Sequence, residues 1–351
     1  MDSNKPEVVV EYAPRPNGSG GDSSRPLPAA KVIPVARRRS WTALELVEGV
    51  RAGEKLALAR ALSVVERGGD EAERLVRDLY PDCGGAYTIG ITGPPGVGKS
   101  TLIGALVKHV RELGRSVGVI SVDPSSPFSK GALLGDRIRL SEHFLDPEVF
   151  IRSMGTRGHP GGLAEATLEA LLVLDAGGRE LLFVETAGVG QSEVAVAGIA
   201  DTVVLVLMPG SGDSVQALKA GVMEIPDVIV LNKSDHATAA ATLAELRQAI
   251  SLGAEEGPPI VSTQAGDGTG VDLLWRAIEE HRAALEQSGG LERRRRENLR
   301  RELLDLAASR MRRELERASA DDPKLDELIN AVAEKRLDPL SAVRELRAQL
   351  D

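Results

Sequence analysis

One short segment, from Tyr87 to Ser100, constrains the fold of this chain more than any other. It reads as an apolar strand followed by the pattern G-x-x-x-x-G-K-S, and a helical pattern starts at Thr101. In such a loop, glycines let backbone N–H groups face phosphate oxygens, and the following helix adds the positive end of its dipole. We therefore expect a nucleoside triphosphate site formed by Gly93, Pro94, Pro95, Gly96, Val97, Gly98, Lys99, Ser100 and Thr101.

Two side chains in this loop are expected to contact the phosphates or their magnesium ion. The Lys99 ammonium group can reach the β- and γ-phosphates, and it is a candidate catalytic group. The Ser100 hydroxyl can ligate Mg²⁺ bound to the same phosphates.

The chain around this loop has the pattern of an α/β fold. Apolar, β-rich runs alternate with helical patterns, which is typical of a mostly parallel sheet covered by helices on both faces. The candidate strands are Thr88–Thr92, Val117–Val122, Val149–Ile151, Leu181–Val184, Thr202–Leu207, Val228–Leu231 and Pro259–Ser262. Ligands of such sheets bind at the carboxyl ends of the strands.

The flanks of this α/β region differ from it in composition. We predict a flexible, Pro-, Gly- and Ser-rich tail over residues 1–40, a helical prefix over 41–85, the phosphate-loop domain over 86–288 and a helical C-terminal segment over 289–351. The amphipathic C-terminal helices could pack on the central domain or pair with a second subunit. We interpret the arginine run Arg293–Arg296 as a solvated helix face.

Composition argues against several classes of partner. A net charge of −9 disfavours broad attraction to nucleic acid or anionic lipid, and 3% aromatic residues are few for base stacking. Apolar runs fall far short of the roughly 20 residues that span a bilayer. Cys83 is the only cysteine, so an intrachain disulfide is excluded. We expect no nucleic-acid partner, no membrane association and a cytoplasmic location.

A second motif indicates which base the nucleotide carries. Asn232-Lys233-Ser234-Asp235 follows the candidate strand Val228–Leu231. The Asp235 carboxylate can accept hydrogen bonds from guanine N1–H and the exocyclic amine, a pair of donors that adenine lacks. Asn232 would tie the loops together, and the Lys233 stem would cover the base. After the next strand, Ser262, Thr263 and Gln264 are further candidates, with Ser262-Thr263 supplying an N–H to guanine O6. The predicted ligands are GTP and GDP.

Three carboxylates are candidates for the magnesium site beside Ser100. Asp123 and Glu185 each follow a candidate strand, and Asp136 lies in a glycine-punctuated segment between them. Two alternatives stay open on position alone. Asp123 could cap a helix before Pro124, and Asp136 could be an exposed helix charge.

Two loops after candidate strands are expected to respond to the γ-phosphate. In the first, Gly188 can bring its N–H to the phosphate, and Gln191 could orient water, although its role stays open. The second is the glycine-rich segment 209–214, which leads into a helical pattern that carries Lys219. Two alternatives stay open for this segment: its glycines could form only a turn, or it could report the state of the nucleotide to a partner.

These motifs together resemble the MeaB-type GTPases, a group that includes ArgK and the human MMAA protein and that belongs to the SIMIBI class of P-loop GTPases. The resemblance covers about residues 42–350. It rests on Gly-Pro-Pro-Gly-Val-Gly-Lys-Ser (93–100), Asp-Pro-Ser-Ser-Pro (123–127), Leu-Leu-Gly-Asp-Arg-Ile-Arg (133–139), Arg-Gly-His-Pro-Gly-Gly-Leu (157–163), Glu-Thr-Ala-Gly-Val-Gly-Gln-Ser-Glu (185–193) and Asn-Lys-Ser-Asp (232–235).

The resemblance implies a function and a partner. It implies GTP hydrolysis coupled to loading and protection of cofactor in an adenosylcobalamin-dependent acyl-CoA mutase of the methylmalonyl-CoA mutase type. It would place Asp123, Asp136 and Glu185 in the metal site and Lys219 in a segment that responds to the mutase. It also implies a homodimer formed through the C-terminal helices.

Other readings remain at this point. A nickel-insertion GTPase would need Cys/His clusters, whereas Cys83 is alone and the five histidines are scattered. A kinase acting on a transport protein would need an acceptor pocket, and a scaffold locked to its nucleotide would show no turnover.

Overall fold

A seven-stranded, entirely parallel sheet organises the part of the chain that the structure describes. This computed structural model describes residues 41–123, 140–155, 165–186, 196–210, 226–251, 257–319 and 323–348. The strands are β1 (Tyr87–Thr92), β2 (Val117–Asp123), β3 (Val149–Gly155), β4 (Leu181–Thr186), β5 (Thr202–Leu207), β6 (Val228–Leu231) and β7 (Ile260–Ser262), in the spatial order β3-β2-β4-β1-β5-β6-β7. The predicted α/β fold class is confirmed.

The inner strands are buried on both faces, which explains why they read as continuous apolar runs. Every residue of β4, β5 and β6 is buried. Parallel strands covered by helices on both sides have no solvated face, so they lack the alternation of polar and apolar residues. All seven predicted strands are present, and β2, β3 and β4 extend beyond their predicted ends.

Ten α-helices and two short 3-10 helices, Tyr80–Asp82 and Ser141–His143, accompany the sheet in the described ranges. The α-helices are α1 (Ala43–Arg51), α2 (Lys55–Arg67), α3 (Asp70–Leu79), α4 (Lys99–Glu112), α5 (Glu165–Ala176), α6 (Ala239–Ser251), α7 (Val271–Gln287), α8 (Gly290–Ser319), α9 (Pro323–Ala333) and α10 (Pro339–Ala348). Helix α4 packs on one face of the sheet, where Leu102 and Leu106 join Ile91 and Val204 in the main core. Burial of each such side chain contributes about 1.5–3 kcal/mol.

The flanking segments are helical where helices are predicted. Helices α2 and α3 lie in the predicted prefix, and α2 packs against α5. The division of the chain into four domains stays a prediction, and the predicted flexible tail lies outside the described residues.

The interpretation of the arginine run as a solvated face is wrong for its two middle members. Arg294 makes two hydrogen bonds to the Asp227 carboxylate, at 2.9 and 2.8 Å. Arg295 pairs with Asp201 at 2.8 and 2.7 Å and also donates to the Ala86 carbonyl oxygen. Asp201 and Asp227 directly precede β5 and β6, so ion pairs connect the start of α8 to the amino ends of two neighbouring strands.

The C-terminal helices present apolar side chains to solvent. Their exposed members include Leu303, Leu304, Met311, Ile329, Leu340 and Val343. The predicted homodimer would cover such side chains, and it stays a prediction. Within the described ranges, none of the helices combines the length and apolar character needed to cross a membrane.

Candidate functional site

The phosphate loop connects the end of β1 to the start of α4, at the carboxyl edge of the sheet. Lys99 is the first residue of α4, and its side chain is buried. Its ammonium group donates hydrogen bonds to the carbonyl oxygens of Gly93 at 2.8 Å and Pro94 at 3.0 Å. The lysine is therefore held against the loop that the sequence predicts to surround phosphates.

Two glycines of this loop are required by close backbone approach as well as by conformation. At Gly93, with φ 138°, a Cβ atom would stand 2.1 Å from the Val206 carbonyl oxygen of β5. At Gly98, with φ 96°, a Cβ atom would stand 2.6 Å from the side-chain nitrogen of Asn232. Because side chains disfavour positive φ, glycine alone fits both positions without strain.

A hydroxyl and a carboxylate from separate elements meet beside the loop. The Ser100 hydroxyl of α4 donates to Oε1 of Glu185 at 2.6 Å. The other oxygen, Oε2, accepts a hydrogen bond from the Ser121 hydroxyl of β2 at 3.1 Å. All three residues are buried. The structure thus brings together two of the four predicted metal residues and adds a serine that the sequence analysis did not single out.

These groups fit a magnesium ion by their chemistry. Mg²⁺ takes oxygen ligands and is usually held by one or two protein groups together with phosphate and water. A serine hydroxyl and a carboxylate beside a phosphate loop supply such oxygens, in Ser100 and Glu185. Asp123 ends β2, next to β4 in the sheet, and Asp136 lies outside the described residues.

The predicted base-reading turn is fastened to the phosphate loop by Asn232. Its side-chain N–H donates to the Val97 carbonyl oxygen at 2.8 Å. Its side-chain oxygen accepts from the Thr263 hydroxyl and from the Ala265 backbone N–H, both at 3.1 Å. Asn232 is buried, and these three side-chain hydrogen bonds connect it to predicted nucleotide-binding loops or their immediate neighbours. One side chain therefore sets the relative position of three loops.

Lys233 has a strained backbone conformation next to Asn232. Its φ of 56° is one of two positive values among non-glycine residues in the described ranges. Its ammonium group donates to the Gly96 carbonyl oxygen at 2.9 Å, so the side chain reaches across to the phosphate loop. Strain of this kind is commonly found at functional sites.

Asp235 and the residues after β7 complete the turn. Asp235 is exposed, as a group that receives a ligand from solvent needs to be. The turn is supported by the Ser234 N–H, which donates to the Thr263 carbonyl oxygen at 3.1 Å. Asp235 stays a prediction as the group that reads guanine.

Backbone N–H groups just after β7, where the sequence predicts a contact to guanine O6 from Ser262-Thr263, already have partners. Thr263 N–H donates to the Leu231 carbonyl oxygen at 3.0 Å, and Gln264 N–H donates to the Thr269 carbonyl oxygen at 2.9 Å. Ser262 is the last residue of β7. A contact between guanine O6 and the Thr263 N–H would require that N–H to change or share its partner. Thr263 itself is fully buried and supports Asn232 with its hydroxyl.

Several predicted residues fall where the structure gives no description. Gly188, Gln191, Lys219 and Asp136 lie outside the described residues, so their roles stay predictions. Of the predicted loop after β5, Pro209 and Gly210 are described. Ser121 and Ala265 were missed from sequence because neither carries a recognisable motif. Ser121 could have been found from its place as a polar residue in an apolar strand.

Comparison with known proteins places the chain among GTPases. The family described as methylmalonyl Co-A mutase-associated GTPase MeaB matches residues 58–320. A protein of Pyrococcus abyssi whose name assigns it to the GTPases is 48% identical over 304 residues, covering 85% of this chain and 94% of the relative. The GTPase ArgK of Escherichia coli is 36% identical, covering 72% of this chain and 79% of ArgK.

A solved structure of a relative shares the fold of this chain. The crystal structure of a LAO/AO transport system kinase superposes with a TM-score of 0.67 at 27% identity, covering 88% of this chain and 97% of that chain. The phosphate loop, the Ser100–Glu185 contact and the Asn232 connection all lie within the matched range. The chain belongs to the MeaB family of methylmalonyl-CoA mutase-associated GTPases.

Proposed function

We propose that this protein hydrolyses GTP and acts as a chaperone for an adenosylcobalamin-dependent acyl-CoA mutase of the methylmalonyl-CoA mutase type. Hydrolysis would be coupled to loading and protection of the mutase cofactor. The proposal that the protein is a GTPase rests on one observation. The Asn232 side chain makes hydrogen bonds both to the phosphate loop and to the 263–265 loop. The family name supports the mutase as partner.

The described residues have separate tasks in this proposal. The loop N–H groups and Lys99 bind the phosphates, while Asp235 and the Lys233 stem bind guanine. Ser100 and Glu185 hold magnesium, with Asp123 and Asp136 as the further proposed ligands. When bound, the ion would neutralise negative charge that develops on the phosphates during transfer. Asn232 holds the base-reading turn (residues 232–235) next to the phosphate loop, so that one nucleotide contacts both.

The response to hydrolysis is assigned to the loops that follow the strands. Gly188 would contact the γ-phosphate through its N–H, and Gln191 would orient the attacking water. Lys219 would lie in the segment through which the mutase alters turnover. We further propose a homodimer through α8, α9 and α10, and a cytoplasmic location.

Phosphate release from GTP tests both parts of the proposal. We expect slow turnover by the protein alone and faster turnover when a purified methylmalonyl-CoA mutase is added, together with better retention of adenosylcobalamin by the mutase. Lys99→Ala is the control, since it removes the ammonium group from the phosphate loop. If the mutase changes neither turnover nor cofactor retention, the mutase link is wrong and the GTPase assignment stands alone.

A second function is favoured by the structural relative described as a LAO/AO transport system kinase. A kinase transfers the γ-phosphate to a substrate hydroxyl, whereas a GTPase transfers it to water. Incubation of the protein with γ-labelled GTP and candidate transport proteins separates the two. Label recovered on a protein side chain would support the kinase, and label recovered only as inorganic phosphate would support the GTPase.

A further inference from the structure

Ser121 lies in a row of residues that crosses the sheet at the candidate magnesium site. In the parallel register, Ser121 of β2 is paired with Glu185 of β4 on one side and with Ser153 of β3 on the other. Beyond Glu185 the row continues with Ile91 and Val204, which belong to the core beneath α4. Ser121 is therefore on the same face of the sheet as the carboxylate it contacts.

The Glu185 carboxylate is shared between β2 and α4 through its two oxygens. Ser121 donates to Oε2 and Ser100 donates to Oε1, so each oxygen has its own hydroxyl donor. The exposed fraction is only 2% for Ser121 and 6% for Glu185. A buried carboxylate depends on such donors, because solvent does not replace a lost hydrogen bond there.

We propose that Ser121 is a positioning residue for the magnesium site. Its hydrogen bond fixes the orientation of the Glu185 carboxylate, and through that carboxylate it fixes the Ser100 hydroxyl. This inference rests on the proposed function, because it assigns the Ser100–Glu185 pair to the metal that accompanies GTP. Ser121 itself contacts neither the metal nor the nucleotide in this proposal. Groups behind metal ligands typically contribute about 10- to 100-fold to metal affinity.

Ser153 offers a matched control. It is also a buried serine, with 5% of its surface exposed, and it occupies the same row one strand further from Glu185. In the described part of the chain, its hydroxyl makes no hydrogen bond to Glu185 or Ser100. Ser153→Ala therefore removes the same atom from the same face of the sheet without touching the carboxylate.

The experiment measures the magnesium concentration needed for half-maximal binding of a fluorescent GDP analogue to the full-length chain. We expect Ser121→Ala to need about tenfold more magnesium or higher. We expect Ser153→Ala to change the requirement by less than about twofold. Ser121→Thr, which keeps the hydroxyl, should bind magnesium nearly as the native protein does. Affinity for the GDP analogue in EDTA should be the same in all variants.

Two results would overturn the positioning role. One is an equal change in magnesium requirement for Ser121→Ala and Ser153→Ala. The other is a loss of nucleotide affinity in Ser121→Ala that is as large in EDTA as in magnesium, which would mean a general structural effect. If Ser121→Ala does not fold, Ser121→Cys replaces it, because a thiol is a weaker donor of similar shape. Nucleotide binding by the native protein that is absent or independent of magnesium would instead refute the proposed function.

Discussion

The side chain of Asn232 donates a hydrogen bond to the Val97 carbonyl oxygen over 2.8 Å, and this contact joins the two nucleotide motifs of the chain. The residues are far apart in sequence, yet each follows a strand of the same parallel sheet. Parallel strands bring their carboxyl ends to one edge, so the loops that follow them become neighbours. The contact makes the phosphate loop and the N-K-x-D turn one unit.

Asn232→Ala should therefore destabilise the protein and weaken nucleotide binding together. The variant loses the three hydrogen bonds to Val97, Thr263 and Ala265, and it leaves buried groups without partners. We expect a loss of about 3 kcal/mol in the free energy of unfolding, measured by urea denaturation. The control is Asn298→Ala, since Asn298 is also buried but makes only a 3.4 Å hydrogen bond to Ala200 in the described ranges. Equal nucleotide affinity in the two variants would contradict the role of Asn232.

Gly98→Ala should abolish nucleotide binding, whereas Gly96→Ala should retain part of it. Both glycines have positive φ, at 96° and 79°, so alanine costs about 1–2 kcal/mol of backbone strain at either position. Only at Gly98 would the new Cβ also collide with Asn232, since no atom of the residues that the structure describes lies within 4 Å of a Cβ at Gly96. Titration with a fluorescent GDP analogue compares the variants. Similar affinities for the two would show that the Asn232 contact is not what limits position 98.

The paired arginines of α8 should contribute to stability in proportion to their burial. Arg295→Ala removes the two hydrogen bonds to Asp201, whose side chain is 5% exposed, and leaves that carboxylate without its cation. We expect a loss of about 2 kcal/mol in the free energy of unfolding, reduced from the cost of a fully buried pair because Arg295 is partly exposed. Arg296→Ala, at an exposed neighbouring position, should change stability by less than about 0.5 kcal/mol. If Arg295→Ala and Arg296→Ala changed the free energy of unfolding equally, the interpretation of Arg293–Arg296 as a solvated face would be right after all.

Asp227 should give the protein a defined loss of stability in acid. Burial alone would raise the pKa of Asp227, but hydrogen bonds from His281 and Arg294 outweigh it and hold the pKa below its ordinary value of 3.8. A carboxyl group with a lower pKa in the folded state adds stability above the unfolded-state pKa, and this stability disappears as pH falls through the folded-state pKa. Asp227 should therefore stabilise the fold fully above about pH 4 and progressively less below it.

Denaturation measured at a series of pH values tests this dependence. In Asp227→Asn the acid-dependent part should be missing, so the curve of unfolding free energy against pH should be flatter below about pH 4. Asp305→Asn, at an exposed position of α8, should keep the native slope. A native slope in Asp227→Asn would mean that other carboxyl groups carry the acid response.

The sheet and the phosphate loop could be predicted from sequence because their signals are local. A strand buried on both faces must be apolar along its whole length, as Leu181–Thr186 nearly is, and a chain that curls around phosphate needs glycines at fixed spacing. The closeness of Asn232 to the phosphate loop could also be inferred, because the order of alternating strands and helices places both at the same edge.

The remaining features depend on which distant residues meet. The sequence shows Arg294 and Arg295 as charges on a helix, but their burial depends on Asp201 and Asp227, which stand at the start of two adjacent strands. Ser121 reads as a lone polar residue until the register of β2 and β4 places it opposite Glu185. Sequence periodicity describes one element at a time, whereas these contacts are set by how the elements pack.

Calorimetric titration of the full-length protein with GTP and with ATP, each in excess magnesium, tests the central claim most directly. The Asp235 carboxylate can satisfy both donors of guanine, and adenine would leave it unpaired. We predict that GTP binds at one site per chain and that ATP binds at least about a hundredfold more weakly. ATP binding as tight as GTP binding, or no binding of either nucleotide, would contradict the account.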